Sequence, residues 1–252
     1  MSEKHTPLSQ FEIKPLYDLS LAGHDVSFTN SSLFMVLAVL SITLFITMGM
    51  KSRSLVPGRL QNAAEMMYEF INSMVNDNMG KDGRKYFPFI FTLFSFILFS
   101  NLLGMLPYSF TSTSHVIVTF GLAITVFFVV LITGVVKHGP LGFLKLFVPS
   151  GIPAIMLPLI VPIEIVSFLA RPISLSLRLA AAMTAGHIAL KVFAGFVLML
   201  WGAGMLGPVF GVLLPVPILV ALIGLEFFIA ALQAYIFSML TSIYLNDALH
   251  AH

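Results

Sequence analysis

Residues 171–191 read RPISLSLRLAAAMTAGHIALK, which sets two arginines, a histidine and a lysine inside a long apolar run. A charge near a bilayer centre costs about 2.5–3.5 kcal/mol on insertion scales, so each cation needs a reason if the run is a membrane segment. The surrounding sequence says that it is. The 252-residue chain is 58% hydrophobic and 10% charged, with a mean hydropathy of +0.98. Soluble chains carry about 25% charged residues. Too little polar surface is left to clothe a soluble globule, and the composition predicts an integral membrane protein.

The net charge of +2 gives no reason to expect a nucleic-acid partner. Cysteine is absent, which excludes disulfides, thiolate metal sites and covalent c-type haem attachment. Residues 1–30 are polar and include Glu3, Glu12, Asp18 and Asp25. A signal peptide needs a basic start followed at once by an apolar core, so this stretch reads instead as a polar N-terminal segment.

Three stretches have the length and apolarity of ordinary membrane spans: 33–50, 87–106 and 116–136. Between the first two, at 57–79, the apolar residues Leu60, Ala63, Ala64, Met67, Phe70, Ile71, Met74 and Val75 recur at helical spacing. Glu65, Glu69, Asn72 and Asn76 take other faces. That pattern predicts an amphipathic helix lying on the membrane surface or on a partner. Lys51, Arg53, Arg59, Lys81, Arg84 and Lys85 gather in the first loop, the loop at 107–115 has no lysine or arginine, and the next has Lys137 and Lys145. The positive-inside rule puts the first and third loops in the cytoplasm and the N-terminus outside.

The segments 152–200 and 206–245 are too long to be upright spans. Forty residues of helix reach about 60 Å, against a hydrocarbon core of about 30 Å. No polar turn divides Arg171–Leu200 or Val216–Tyr244. Two long tilted helices are therefore expected, bent near Pro158, Pro162, Pro215 and Pro217 and joined through the break WGAGMLGP. Five crossings place the C-terminus in the cytoplasm. The expected fold is an all-α integral membrane protein, a single membrane domain over 1–252. It has three ordinary transmembrane helices, one amphipathic interfacial helix and a C-terminal hairpin of two long tilted membrane helices.

The hairpin's polar residues are Glu164, Arg171, Arg178, His187 and Lys191 on the first arm and Glu226 and Gln233 on the second. In an antiparallel hairpin, residues at one depth have a nearly constant sum of residue numbers. By that rule Arg178 shares a depth with Gln233, and His187 shares one with Glu226 nearer the outside. At about 100° per residue, His187 lies on the opposite side of its helix from Arg178. Glu164, Arg171 and Arg178 fall along one stripe, which Ala181, Ala182 and Ala185 continue. Small residues let another helix approach closely.

Plainer readings stand beside these. An intramembrane histidine can be a packing residue, with Glu226 as its structural partner. Lys191 near a helix end can extend to the interface. Arg171 can do the same or neutralise Glu164. Arg178 resists such a reading, because no acid stands three or four residues away and arginine does not readily lose its proton. Its ionisable partner has to come from another subunit. HGP at 138–140 and the terminal HAH lack metal-ligand company. No phosphate-binding glycine loop, GxSxG elbow or dinucleotide fingerprint occurs, which argues against a soluble-type catalytic site.

With these residues in view, the sequence resembles a known family, subunit a of F-type ATP synthases, over nearly its whole length. The resemblance is carried by PIEIVSFLARPISLSLRLAAAMTAGH and EFFIAALQAYIFSMLTSIYL, with NLLGMLP in support. It implies that Arg178 is the family's essential arginine, and that Glu164, His187, Glu226 and Gln233 occupy its polar channel positions for proton translocation. It also implies partners: the c-ring of the rotor, peripheral-stalk b-type subunits and membrane lipid. No cofactor or metal is implied, and the chain itself forms or breaks no nucleotide bond. The implied location is a bacterial inner membrane, with the mitochondrial inner membrane as the alternative. The pairing of His187 with Glu226 looks like the alphaproteobacterial and mitochondrial branch; many other bacterial members carry the acid and the histidine the other way round. One departure stands out. Family members commonly have asparagine four residues after the arginine, where this chain has Ala182, so no role of that asparagine carries over. The rival functions are a proton-coupled secondary transporter, which usually shows internal repeats, and a structural membrane scaffold, for which Arg178 is an unexplained cost.

Overall fold

The computed structural model describes residues 12–13, 15–17, 20–21, 24–25, 27–51, 57–106, 109–144, 148, 154–201 and 215–250. The expected interhelical break WGAGMLGP lies, beyond its first residue, outside the described residues, as do 206–214 of the second long segment. Among the described residues six long helices dominate: α1 Asn30–Gly49, α2 Arg59–Met79, α3 Gly83–Gly104, α4 Val116–Leu144, α5 Leu157–Trp201 and α6 Pro215–Leu249. Among the described residues, five helical stretches are long and apolar enough to cross a membrane. Before α1, two short antiparallel ladders pair β1 (Pro15–Tyr17) with β4 (Phe28–Thr29) and β2 (Ser20–Leu21) with β3 (His24–Asp25).

Local chemistry accounts for the helix limits. Pro158, Pro215 and Pro217 stand in the first turns of α5 and α6, where a missing N–H leaves no intrahelical bond unmade. Pro162 and Pro172 lie inside α5, so only they remove bonds from its ladder. α4 runs past Val136, and its backbone leaves the helical region at Gly139, with φ of 74°. A positive φ suits glycine, which has no Cβ to clash.

α2 is the amphipathic helix. Ile71, Met74, Val75 and Met79 are buried, as is Gln61, while Leu60 and Phe70, expected on the apolar stripe, are exposed. Phe70 still meets the rings of Tyr235 and Phe94, with centroids 5.2 Å and 6.3 Å away. The apolar stripe is wider than the surface that covers it, which leaves its outer edge bare.

The chain divides into two compact units. The first draws on Met1–Ser41, Phe96–His115 and Leu179–Gln233; the second draws on Ile42–Ser95, Val116–Arg178 and Ala234–His252. In the first, Asn101 of α3 donates from Nδ2 to the carbonyl of Ala230 on α6 at 3.0 Å and accepts from the Thr113 hydroxyl at 2.7 Å. In the second, Asn78 of α2 donates to Ser242 Oγ on α6 at 2.9 Å. There Phe168 of α5 packs among Phe127 and Phe143.

Candidate functional site

α5 presents its polar residues on different faces. Around Arg178 the exposed positions are Ser174, Leu177, Arg178, Ala181 and Ala185, with Ala182 half-buried. The buried positions are Leu175, Ser176, Leu179, Ala180, Met183 and His187. Arg178 forms no ion pair among the described residues. Its exposed side sets one fixed cation among the small Ser174, Ala181 and Ala185 and the large apolar Ile173 and Leu177.

His187 faces inward, and the structure brings it together with Glu226. Nδ1 of His187 lies 3.1 Å from Oε1 of Glu226, and the two residues are 8% and 3% exposed. The close approach depends on Gly186, since a Cβ at that position would stand 2.9 Å from Glu226 Oε1. Beyond the imidazole contact, neither Glu226 oxygen finds a hydrogen-bond partner among the described residues. Buried carboxylates that serve structure are held by several donors. This one is held by a single titratable ring, an arrangement suited to passing a proton.

The other nitrogen of the ring is also engaged. Nε2 of His187 lies 2.8 Å from the Thr111 hydroxyl, and that hydroxyl donates to the carbonyl of Gly104 at 3.1 Å. Nearby, Thr184 of α5 donates to the carbonyl of Ser114 at 3.2 Å, and Ser114 Oγ donates to the carbonyl of Thr111 at 2.6 Å. Phe110 stacks on the ring of His115 with centroids 5.0 Å apart. A buried polar cluster thus joins the 109–115 segment and Asn101 to the His187–Glu226 pair. Sequence reasoning missed Asn101, Thr111, Thr113, Ser114 and Thr184. The one signal was the run SFTSTSH at 109–115, rich in hydroxyls and without a lysine or arginine.

Glu164 and Gln233 are half-buried, on α5 and α6 respectively, and Glu164 forms no ion pair among the described residues. Arg171 does not pair with Glu164. Its Nη1 lies 3.3 Å from Oδ2 of Asp247, and its guanidinium sits over the rings of Tyr244 and Phe168 at 4.7 Å and 5.6 Å. That side chain is a strut between α5 and α6. No group of three metal-ligating side chains occurs among the described residues.

Comparison with known proteins covers nearly the whole chain. The profile of the family described as ATP synthase A chain matches residues 32–246. A protein of Parvibaculum lavamentivorans named ATP synthase subunit a is 57% identical over 244 residues, covering 97% of this chain and 93% of that protein. The Mesorhizobium japonicum protein of the same name is 55% identical over 249 residues, covering 99% and 98%. The one from Rhodospirillum rubrum is 54% identical over 248 residues, covering 98% and 100%.

Proposed function

The chain belongs to the ATP synthase A chain family, and from that premise we propose that it forms the fixed wall of a proton path against a rotating ring of carboxylates. Members of the family are the proton-translocating membrane subunit a of ATP synthase. In the proposed path, protons enter from the outer side through Glu226 and His187, protonate a ring carboxylate, and leave toward the cytoplasm past Glu164 after the ring has turned. Gln233, which the sum of residue numbers assigns to the arginine's depth, helps hold the ring carboxylate there.

Arg178 carries the reading. It is a cation with no ion pair among the described residues, exposed beside Ala181 and Ala185 within a helix apolar enough to cross a membrane. A desolvated cation of this kind needs an anion from outside the chain. An opposite charge favours the ionised form of a carboxylate, so a ring carboxylate reaching Arg178 gives up its proton. The same fixed charge repels protons and keeps the outer and inner half-channels apart. The chain does no bond chemistry on nucleotide; its task is to give and take protons and to present a stationary charge. The peripheral-stalk b-type subunits hold it still, the N-terminus lies outside and the C-terminus lies in the cytoplasm of a bacterial inner-membrane complex.

The test is Arg178→Ala in the assembled complex, with proton-driven ATP synthesis measured in inverted vesicles. Synthesis is expected to vanish while the complex still purifies intact. Arg178→Lys is expected to fail as well, because an ammonium is a compact charge that can lose its proton when buried. Normal proton-driven synthesis by assembled Arg178→Ala complex would sink the proposal.

A further inference from the structure

We infer that the basic cavity between the start of α3 and the far end of α4 is a binding site for the phosphate headgroup of an anionic phospholipid. None of its residues is assigned a step in the proton path. The cavity measures about 670 Å³, inside the ~300–1,000 Å³ usual for ligand sites. Lys81, Arg84, Lys85 and Lys137 line it, and Asp82 is the one carboxylate among its lining residues. That carboxylate is already engaged: its Oδ2 lies 3.8 Å from Lys137 Nζ and 3.6 Å from His250 Nε2. Lys81, Arg84 and Lys85 are exposed and form no ion pair among the described residues. Three cations thus border one space with no anion of their own. Their mutual repulsion is relieved by an anion from outside the chain, and a guanidinium with ammonium groups around it matches phosphate oxygens.

The walls favour a lipid over a free anion. α4 leads away from the cavity by an apolar ladder, in which Phe128, Ile132 and Val136 recur every four residues and are 54%, 56% and 79% exposed. At about 1.5 Å per residue, the ladder runs about 12 Å from Val136 to Phe128, away from Lys137 and into the span. On the other side, the sequence of α3 turns apolar directly after Lys85 and Tyr86. The cations therefore stand at the ends of two apolar spans, at the level of a membrane's headgroups. A free anion would use the cations and leave the ladder without a role. A phospholipid uses both, with its phosphate among Arg84, Lys85 and Lys137 and an acyl chain along the ladder.

Topology alone does not account for the arrangement. The positive-inside rule asks for lysine and arginine in a loop; it does not ask that they gather from two separate loops around one cavity. Basic recesses between membrane helices on the cytoplasmic side do hold lipid headgroups, and the same rule assigns both loops to that side. Leu249, the last residue of α6, is buried against the same cavity. A headgroup seated there braces three helix ends at once.

The test reads one point on the ladder. The chain has no cysteine, so bimane can be attached to the full chain at Phe128→Cys alone. The labelled chain is placed in nanodiscs that mix dioleoyl phosphatidylcholine with dioleoyl phosphatidylglycerol, one of the two carrying bromine on its acyl chains to quench the dye. Brominated phosphatidylglycerol is expected to quench at a lower share of the lipid than brominated phosphatidylcholine. In Arg84→Gln/Lys137→Gln that preference is expected to fall about fivefold for each cation removed. It should hold in Lys51→Gln/Arg59→Gln, which removes the same charge at positions outside the cavity lining. Asp82→Asn removes the anion and keeps every cation, so it should raise the preference, and it reads the site even where the double variant does not insert. Equal quenching by the two lipids in the parent, equal loss in the two double variants, or no rise in Asp82→Asn would overturn the inference. Loss of the preference in excess inorganic phosphate, with ionic strength matched by chloride, would assign the cavity to a free anion instead. Loss of it when the labelled chain is assembled into the complex would assign the cavity to an acidic segment of a partner subunit.

Discussion

Gly186 supplies the space that the Glu226 carboxylate fills: a Cβ at residue 186 would come within 2.9 Å of Oε1 and 3.3 Å of the carboxyl carbon. Gly186→Ala is therefore expected to push the carboxylate off the His187 ring. The carboxylate is the far end of a flexible side chain, so the helix can survive the change. Misplacing a reacting group by about an ångström can cost up to a hundredfold in rate, and proton-driven synthesis should fall about ten- to a hundredfold. An assembled variant with the parental rate would show that the pair's geometry does not limit transport.

The His187–Glu226 contact should appear as energetic coupling. Residues in contact couple by about 0.5–3 kcal/mol in double-mutant cycles. Synthesis rates of His187→Gln, Glu226→Gln and the double variant are expected to show the double losing less than the product of the single losses. Multiplicative losses would mean that the two residues act separately.

The exposed face of α5 makes a prediction that the lack of cysteine renders clean. Ala181→Cys and Ala185→Cys stand on the Arg178 face and are expected to crosslink to cysteines on the outer helices of the ring. Ala180→Cys and Met183→Cys, on the buried face, are not. Crosslinking of equal yield from both sets would contradict the proposed docking face.

Asn101 is fully buried and joins Thr113 to the Ala230 carbonyl. Asn101→Ala leaves a buried hydroxyl without its acceptor, a loss of about 1–3 kcal/mol. The unfolding midpoint of the purified chain in detergent should drop, and by more than in Thr113→Val, which leaves the bond to Ala230 intact. Equal midpoints in the parent and Asn101→Ala would show that the junction bears no load.

How much of this was legible in the sequence depended on the range of the signal. Helical periodicity and apolar length are local, so the long helices could be read directly. The opposition of Arg178 and His187 on α5 follows from helix geometry alone and holds in the exposure of the two residues. The depth rule paired His187 with Glu226, and the two residues are in contact. Arg171 went otherwise: Glu164, seven residues away, was the visible acid, yet the carboxylate that reaches Arg171 belongs to Asp247. The polar cluster stayed hidden for a similar reason. Thr111 and His187 are 76 residues apart, and a run of serine and threonine between two apolar spans has the composition of an ordinary loop. The extension of α4 beyond Val136 was obscured by HGP, whose glycine and proline normally end a helix; here Gly139 takes up the bend and helix resumes beyond it.

The last turns of α6 carry a consequence of another kind. Ala234, Ser238, Thr241, Ser242, Leu245 and Ala248 are each 1% exposed or less, and most are small. Ser238 and Thr241 turn their hydroxyls back to the carbonyls of Ala234 and Phe237, so they present little more than backbone to their neighbours. Contacts between backbones have few rotamers to give way, whereas long side chains bend under load. A stationary part that resists torque wastes work in proportion to its elastic compliance. α6 packs there through short side chains set around the buried Phe237 and Leu245, and in the proposed stationary role that close packing leaves little compliance for work to be lost in.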